Sequence, residues 1–162
     1  MATVSTLTKV EGGRGNPSRK PYMVEVEIDL AAAATAKGSA LAAADVINCI
    51  NVGANQAILF AGTEIVTAPA GGTAGTFDLG ITGGDVDAFV DGGAITGATA
   101  GTYATMTSTA LPIVSSATSS IDMLLIGTTP DTSGVIRVFA YLMDVDAFGS
   151  DKSAAEVARD QV

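Results

Sequence analysis

The sequence predicts an all-β protein, an antiparallel β-sandwich or jelly-roll-like domain, and three observations carry this prediction. About seven or eight segments have strand-like patterning, and turns rich in the chain's 19 glycines separate them. Strands do not alternate regularly with helices, so a parallel α/β sheet is not expected. Thr and Ser are abundant, which suits strand surfaces and turns.

The domain is expected to cover residues 22–147 of the 162-residue chain. Residues 1–21, before the domain, are predicted to form an extended basic arm. Residues 1–20 carry a net charge of +3, and Gly and Pro residues lie between the charged ones. After the domain, residues 148–162 read as a polar tail. The remaining chain, 21–162, holds four bases and sixteen acids, a net charge of −12.

Tyr22–Leu30 is the clearest predicted strand, because apolar residues alternate with Met23 and three acids. The acidic face, with Glu25 and Glu27, is expected to meet water or a basic partner. The Ala-rich segment 31–44 predicts either a short helix or a loop.

Two strands are predicted next, Asp45–Val52, covered on both sides, and Gln56–Thr67. A bulge or kink is expected at Gly62. The turn GANQ, residues 53–56, predicts that these two strands form a hairpin.

Segment 83–93 predicts a turn, a short helical stretch begun by Asp85 as N-cap and ended by Gly92, and another turn. Segment 95–106 is expected to be a loop anchored by Tyr103.

The remaining predicted strands share apolar, alternating or β-branched patterning. They are Ala74–Ile81, Leu111–Ser115, Ser120–Gly127 and Val135–Val145.

Composition argues against an enzyme. The chain has no His, which removes the usual general base and the commonest metal ligand. The single Cys49 cannot form an intramolecular disulfide and is expected in the core. An acidic body repels nucleic acid and anionic membranes, so neither is an expected partner. No secretory signal or membrane-spanning stretch is evident, which predicts synthesis in a cytoplasm.

The best candidate for a cation site is the cluster of Asp85, Asp87 and Asp91. A calcium loop needs an oxygen ligand at its fifth position and a Gly at its sixth, where this sequence has Phe89 and Val90. We therefore expect a capped turn with Phe89 and Val90 packed inward, and no bound metal.

Two other carboxylate pairs are candidates for chemistry. Asp144 and Asp146 flank Val145 at a strand end and are expected to be solvated, with metal binding as the remote alternative. Glu25 and Glu27, about 7 Å apart on one strand face, could in principle hydrolyse glycosides, but the chain has no Trp to stack on sugars. No catalytic, cofactor-binding or metal-binding residue is assigned.

Five sequence segments between Tyr22 and Val145 are characteristic. They are VEVEIDLAAA (24–33), ADVINCINV (44–52), GTEIVTA (62–68), GTFDLGITGGDVDAFVDG (75–92) and VIRVFAYLMDV (135–145). In these segments the chain resembles small structural virion proteins of tailed bacteriophages, often marine or cyanobacterial.

The resemblance implies a capsid decoration (cement) subunit, made in the host cytoplasm and located on the capsid surface of the virion. Its implied partners are the major capsid protein of the shell and, as a homotrimer, its own copies. The basic arm is expected to contribute to the contact. The alternatives are a tail, baseplate or fibre component and, from another class, a carbohydrate-binding surface module.

Overall fold

The computed structural model describes residues 3–5, 21–105 and 112–145. Within these residues the chain forms ten strands and one helix, α1 (Leu30–Lys37). The strands are β1 (Thr3–Ser5), β2 (Tyr22–Asp29), β3 (Val46–Val52), β4 (Gln56–Ala70), β5 (Ala74–Ile81), β6 (Val90–Ala94), β7 (Tyr103–Thr105), β8 (Ile113–Val114), β9 (Ser119–Thr129) and β10 (Ser133–Asp144).

The strands form two sheets. One, which we call the β9 sheet, has the order β1-β3-β9-β5-β6. The other, the β10 sheet, has the order β2-β10-β4-β7, and β8 also pairs with β4. Every described pairing is antiparallel except that of β1 with β3. The predicted all-β antiparallel sandwich is confirmed, and the jelly-roll connectivity stays a prediction.

The core lies between the inner faces of the two sheets. On β2 the apolar residues Val24, Val26 and Ile28 are buried and the residues between them are exposed, as the alternation predicts. They belong to one hydrophobic cluster with side chains of both sheets, including Phe77 of β5 and Val138 of β10. The two apolar faces therefore stabilise each other by excluding water.

Helix α1 has a clear beginning and end in the sequence. The carboxylate of Asp29 accepts hydrogen bonds from the backbone N–H groups of Ala31 and Ala32, at 2.8 and 3.2 Å. Gly38 ends the helix with φ of +79°, a left-handed conformation that suits glycine. Of the two predicted alternatives for the Ala-rich segment, the structure contains the helix.

The predicted hairpin between β3 and β4 is wrong. The turn at residues 53–56 is present, but β3 pairs with β1 and β9, whereas β4 pairs with β10, β7 and β8. The turn therefore carries the chain from one sheet to the other.

The predicted helical stretch within 83–93 is also wrong. Turns lead instead into strand β6, which pairs with β5. Gly92 lies within β6 with φ of +66°, and its N–H donates to the buried Asp78 carboxylate at 2.8 Å. The inward packing of Phe89 and Val90 is confirmed, since both are buried.

Two smaller predictions also need correction. The predicted bulge is not at Gly62, which pairs in register with Phe139. The register shifts between β4 and β10 lie instead between Tyr141 and Leu142 and, at the start of β10, between Ser133 and Ile136. Tyr103 is no anchor, because it belongs to β7 and is 58% exposed.

The predicted arm and tail lie mostly outside the described residues. Thr3–Ser5 forms β1 beside β3, whereas residues 6–20 and 146–162 are not described. The domain boundaries and the role of the arm in binding stay predictions. Across the described ranges, no helix has the length and apolar character needed to cross a membrane.

Candidate docking face

Aromatic side chains gather on the outer face of the β10 sheet. Phe139 and Tyr141 flank the buried Ala140 on β10, so both point away from the core. In register, Tyr141 has Phe60 of β4 on one side and Met23 of β2 on the other. We call this patch the aromatic face; its members are Met23, Phe60, Tyr103, Phe139 and Tyr141.

Three rings of this face pack on one another, and the face is partly open to solvent. The centroids of Phe60 and Phe139 lie 6.0 Å apart in a stacked arrangement, and Phe60 meets Tyr141 edge-on at 6.4 Å. Tyr141 is 42% exposed and Met23 is 52% exposed. Four of the chain's eight aromatic residues lie here, which is typical of a surface that another protein covers.

Gly62 makes room for this face. A Cβ atom at Gly62 would come within 3.2 Å of the Phe139 ring and 3.0 Å of the Ala104 carbonyl oxygen on β7. Because glycine has no side chain, the Phe139 ring can lie close over the backbone of β4. The glycine that suggested a bulge therefore serves close packing on the outer face.

A cluster of charges, which we call the acidic rim, borders the aromatic face. Arg137 donates to Glu64 and to Glu27, each at 2.8 Å, and its Nε lies 3.9 Å from Glu25. The hydrogen bond to Glu27 raises the pKa of the Arg137 guanidinium. Glu64, hydrogen-bonded to Tyr103, likewise raises the pKa of that phenol.

The rim keeps a net negative charge, because one guanidinium meets three carboxylates. The whole segment 21–145 contains two bases, Lys37 and Arg137, and twelve acids, a net charge of −10. Lys37 is already paired with Asp45 at 2.5 Å. Among the described residues, both bases are thus paired with carboxylates of the same chain.

The structure places the candidate residues of the sequence analysis at separate points. Glu25 and Glu27 lie on the open sheet face beside Arg137. Asp144 accepts from Gln56 at 2.8 Å, and Asp146 lies outside the described residues. Cys49 is fully buried, as predicted, and burial raises the pKa of its thiol.

The three carboxylates of the candidate cation site, Asp85, Asp87 and Asp91, lie in the turns before β6 and in its first residues. Asp85 raises the pKa of Asp87, first through a hydrogen bond and then through its charge, and Asp91 adds to the effect. Among the described residues, no group of three His, Cys, Asp or Glu side chains could hold a metal ion.

The aromatic face was not predicted, although the sequence of β10 contains one signal for it. Between Val138 and Met143 the sequence VFAYLM is apolar at every position, so both faces of β10 are apolar. A strand with water on one side usually alternates with polar residues. The uninterrupted run therefore departs from the pattern of a strand whose outer face is polar.

The fold is shared with chains of two phage capsid structures. One belongs to the capsid of Ralstonia phage GP4, with a TM-score of 0.61 and 16% identity, covering 90% of this chain and 100% of that chain. The other belongs to the cyanophage Pam1 capsid asymmetric unit, with a TM-score of 0.51 and 14% identity, covering 85% of this chain and 97% of that chain. No protein-family model and no curated protein sequence matches the chain. At these identities the likeness establishes a common fold.

Proposed function

We propose that this protein is a capsid decoration (cement) subunit of a tailed bacteriophage, which binds the outside of the head shell and has no catalytic role. The observation that carries the proposal is the fold likeness to chains of two phage capsid structures, which extends over 85% and 90% of this chain. The sequence phrases between Tyr22 and Val145 point to the same class of protein.

The aromatic face is the surface that docks, and the major capsid protein of the shell is its partner. Aromatic residues and Met are enriched at the centres of protein interfaces, where rigid side chains bury much area. The acidic rim then selects a shell surface that is apolar at its centre and carries Lys or Arg around it. Charges at such a rim mainly steer association and fix orientation.

A homotrimer is the second part of the proposal. A subunit that sits at a local three-fold axis of a shell forms a homotrimer around that axis. One sheet of each copy then faces the shell, while the β9 sheet faces solvent or a neighbouring copy.

The experiment uses shells assembled from the major capsid protein alone and, separately, purified tails. Each is mixed with this protein and pelleted, and bound copies are counted by quantitative mass spectrometry. We expect saturable binding to shells with about three copies per local three-fold axis, little binding to tails, and a higher melting temperature of the decorated shell. Binding to tails in place of shells would instead favour a tail component and contradict the proposal.

A further inference from the structure

A buried carboxyl group lies on the outer face of the β9 sheet, on the opposite side of the sandwich from the aromatic face. Asp122 of β9 lies between Ile121 and Met123, which are buried in the core, so its own side chain points outward. It is nevertheless only 9% exposed. Together with Thr82 and Val86, from the segment after β5, Asp122 lines a groove on this face.

Two hydroxyl groups contact Asp122, and they also contact each other. One carboxyl oxygen lies 2.6 Å from the Ser120 hydroxyl, and the other is hydrogen-bonded to the Thr82 hydroxyl. The two hydroxyl oxygens are themselves 2.6 Å apart. The three side chains therefore form a closed ring of oxygen–oxygen contacts at hydrogen-bond distance, which we call the Asp122 ring.

The Asp122 ring needs one proton for each of its three contacts. Each hydroxyl group carries one proton, so Ser120 and Thr82 supply only two. With an ionised carboxylate, one contact would bring two oxygen atoms together with no hydrogen between them. A proton on Asp122 completes the ring, because the carboxyl group then donates to Thr82, Thr82 to Ser120, and Ser120 to the other carboxyl oxygen.

The surroundings of Asp122 also favour an uncharged carboxyl group. The other side chains that line the groove are uncharged; they include Val46 and Asn48 of β3, Leu124 of β9, and Thr82 and Val86 after β5. The titratable residues on β3, on β5 and on the segment after β5 are Cys49, Asp78, Asp85 and Asp87, and none of them carries a positive charge.

No cation reaches Asp122 from the described residues. Their two bases are Lys37, which pairs with Asp45, and Arg137, which lies on the outer face of the other sheet. Burial raises the pKa of Asp122, and the hydrogen bonds from Ser120 and Thr82 offset this only in part. The direction of this shift agrees with the count of protons in the ring.

The Asp122 ring attaches the segment after β5 to the sheet. The backbone N–H of Thr82 donates to the Ser120 carbonyl oxygen at 3.0 Å, so both the backbone and the side chain of Thr82 bind β9. The segment also passes close over Gly80, where a Cβ atom would lie 2.2 Å from the carbonyl oxygen of Asp85. Loss of a hydrogen bond in the ring would therefore weaken the attachment of this segment at Thr82.

We infer that Asp122 is a proton-binding site and that its proton holds the segment after β5 against β9. When the pH rises and Asp122 releases the proton to water, the ring has two protons for three contacts and loses one hydrogen bond. The contribution of the ring to stability is thus present in acid and is lost as the pH rises through the titration of folded Asp122. The inference concerns the face opposite the aromatic face and does not depend on the proposed function.

Amide hydrogen exchange of the full-length protein over a pH series tests the inference. The reporter is the protection factor of the Thr82 N–H, which is corrected for the intrinsic exchange rate at each pH. In the wild type we expect it to fall about tenfold as Asp122 ionises, which corresponds to about 1.4 kcal/mol and is the size of one hydrogen bond. In Asp122→Asn it should not fall, because the amide group donates and accepts as the protonated carboxyl group does. The N–H of Leu125, which donates to Asp45 on the same sheet, is the internal reference and should not respond.

Asp131→Asn is the matched control. Asp131 is 2% exposed, and its two oxygens accept from the Thr96 hydroxyl and from the Gly72 N–H, so two donors serve two contacts without a further proton. This variant loses a buried carboxyl group outside the ring, and the protection factor of Thr82 should still fall with pH as it does in the wild type.

Carboxyl NMR titration of the folded protein is the second readout. The Asp122 signal is identified by its loss in Asp122→Asn, and its pKa should lie above the ordinary value of 3.8 and coincide with the fall in Thr82 protection. A pKa of Asp122 at or below 3.8, a Thr82 protection factor that stays constant in the wild type, or an equal fall in Asp122→Asn would each overturn the inference.

Discussion

Replacing Tyr141 by Ala is expected to weaken binding to the shell while leaving the domain folded. A tyrosine side chain buries about 150–250 Å² when fully covered. Tyr141 is already more than half covered by its own sheet, and 42% of it is exposed. Docking would therefore remove roughly 60–100 Å² from water, which contributes about 1.5–2.5 kcal/mol at about 25 cal/mol per Å². The dissociation constant should rise roughly 15- to 70-fold.

The assay is binding of the purified variant to immobilised shells across a concentration series, with urea denaturation in parallel. The second measurement is needed because Tyr141 also contacts Phe60. Ile126→Ala is the matched control, since Ile126 is 38% exposed and lies on the outer face of the β9 sheet. We expect the control to change affinity less than about twofold. Equal losses for both variants, or none for Tyr141→Ala, would refute the assignment of the docking face.

Two further predictions concern the fold. Lys37→Met should lower the free energy of unfolding by about 3–5 kcal/mol, because it leaves the Asp45 carboxylate, 3% exposed, without its cation; urea denaturation measures this, and a loss below about 1 kcal/mol would contradict it. Cys49 should resist thiol reagents at pH 8 in the folded protein, because burial raises the pKa of its thiol. As the unfolded thiol ionises near its ordinary pKa of 9.0 and the folded one does not, the free energy of unfolding should fall above that pH. In Cys49→Ala the free energy of unfolding should lack this decrease at alkaline pH. An equal decrease in the variant and the wild type would contradict the prediction.

Local pattern was enough to predict several elements. The alternation in Tyr22–Leu30 specifies which face of β2 is buried, because a strand repeats every two residues. Capping chemistry decides between helix and loop in the Ala-rich segment, since Asp29 and Gly38 mark the two ends of α1. Strand alternation and helix capping both depend on residues close together in the sequence, so they can be recognised without knowledge of the fold.

The pairing between distant strands could not be predicted from local sequence patterns. A short turn such as residues 53–56 is compatible with a hairpin and also with a crossing between sheets. The choice depends on which distant strands pair with β3 and β4. Asp85 and Gly92 fit a capped helix, yet the chain pairs with β5 there and places Gly92 against Asp78. Tertiary pairing outweighed local propensity in both cases.

The aromatic face could not be predicted because it, too, depends on contacts between strands that are distant in the sequence. Phe139 and Tyr141 look like core residues in the sequence. The burial of Val138, Ala140 and Leu142, which alternate with them, is what places them on the outer face.

A cryo-electron microscopy reconstruction of the decorated shell tests the central claim most directly. We expect the domain on the outside of the head, with the aromatic face and acidic rim against the major capsid protein and the β9 sheet turned away. The contact should include Tyr141, with basic shell residues near Glu25 and Glu27. Density for this domain in the tail, or on the head with the aromatic face open to solvent, would contradict the account.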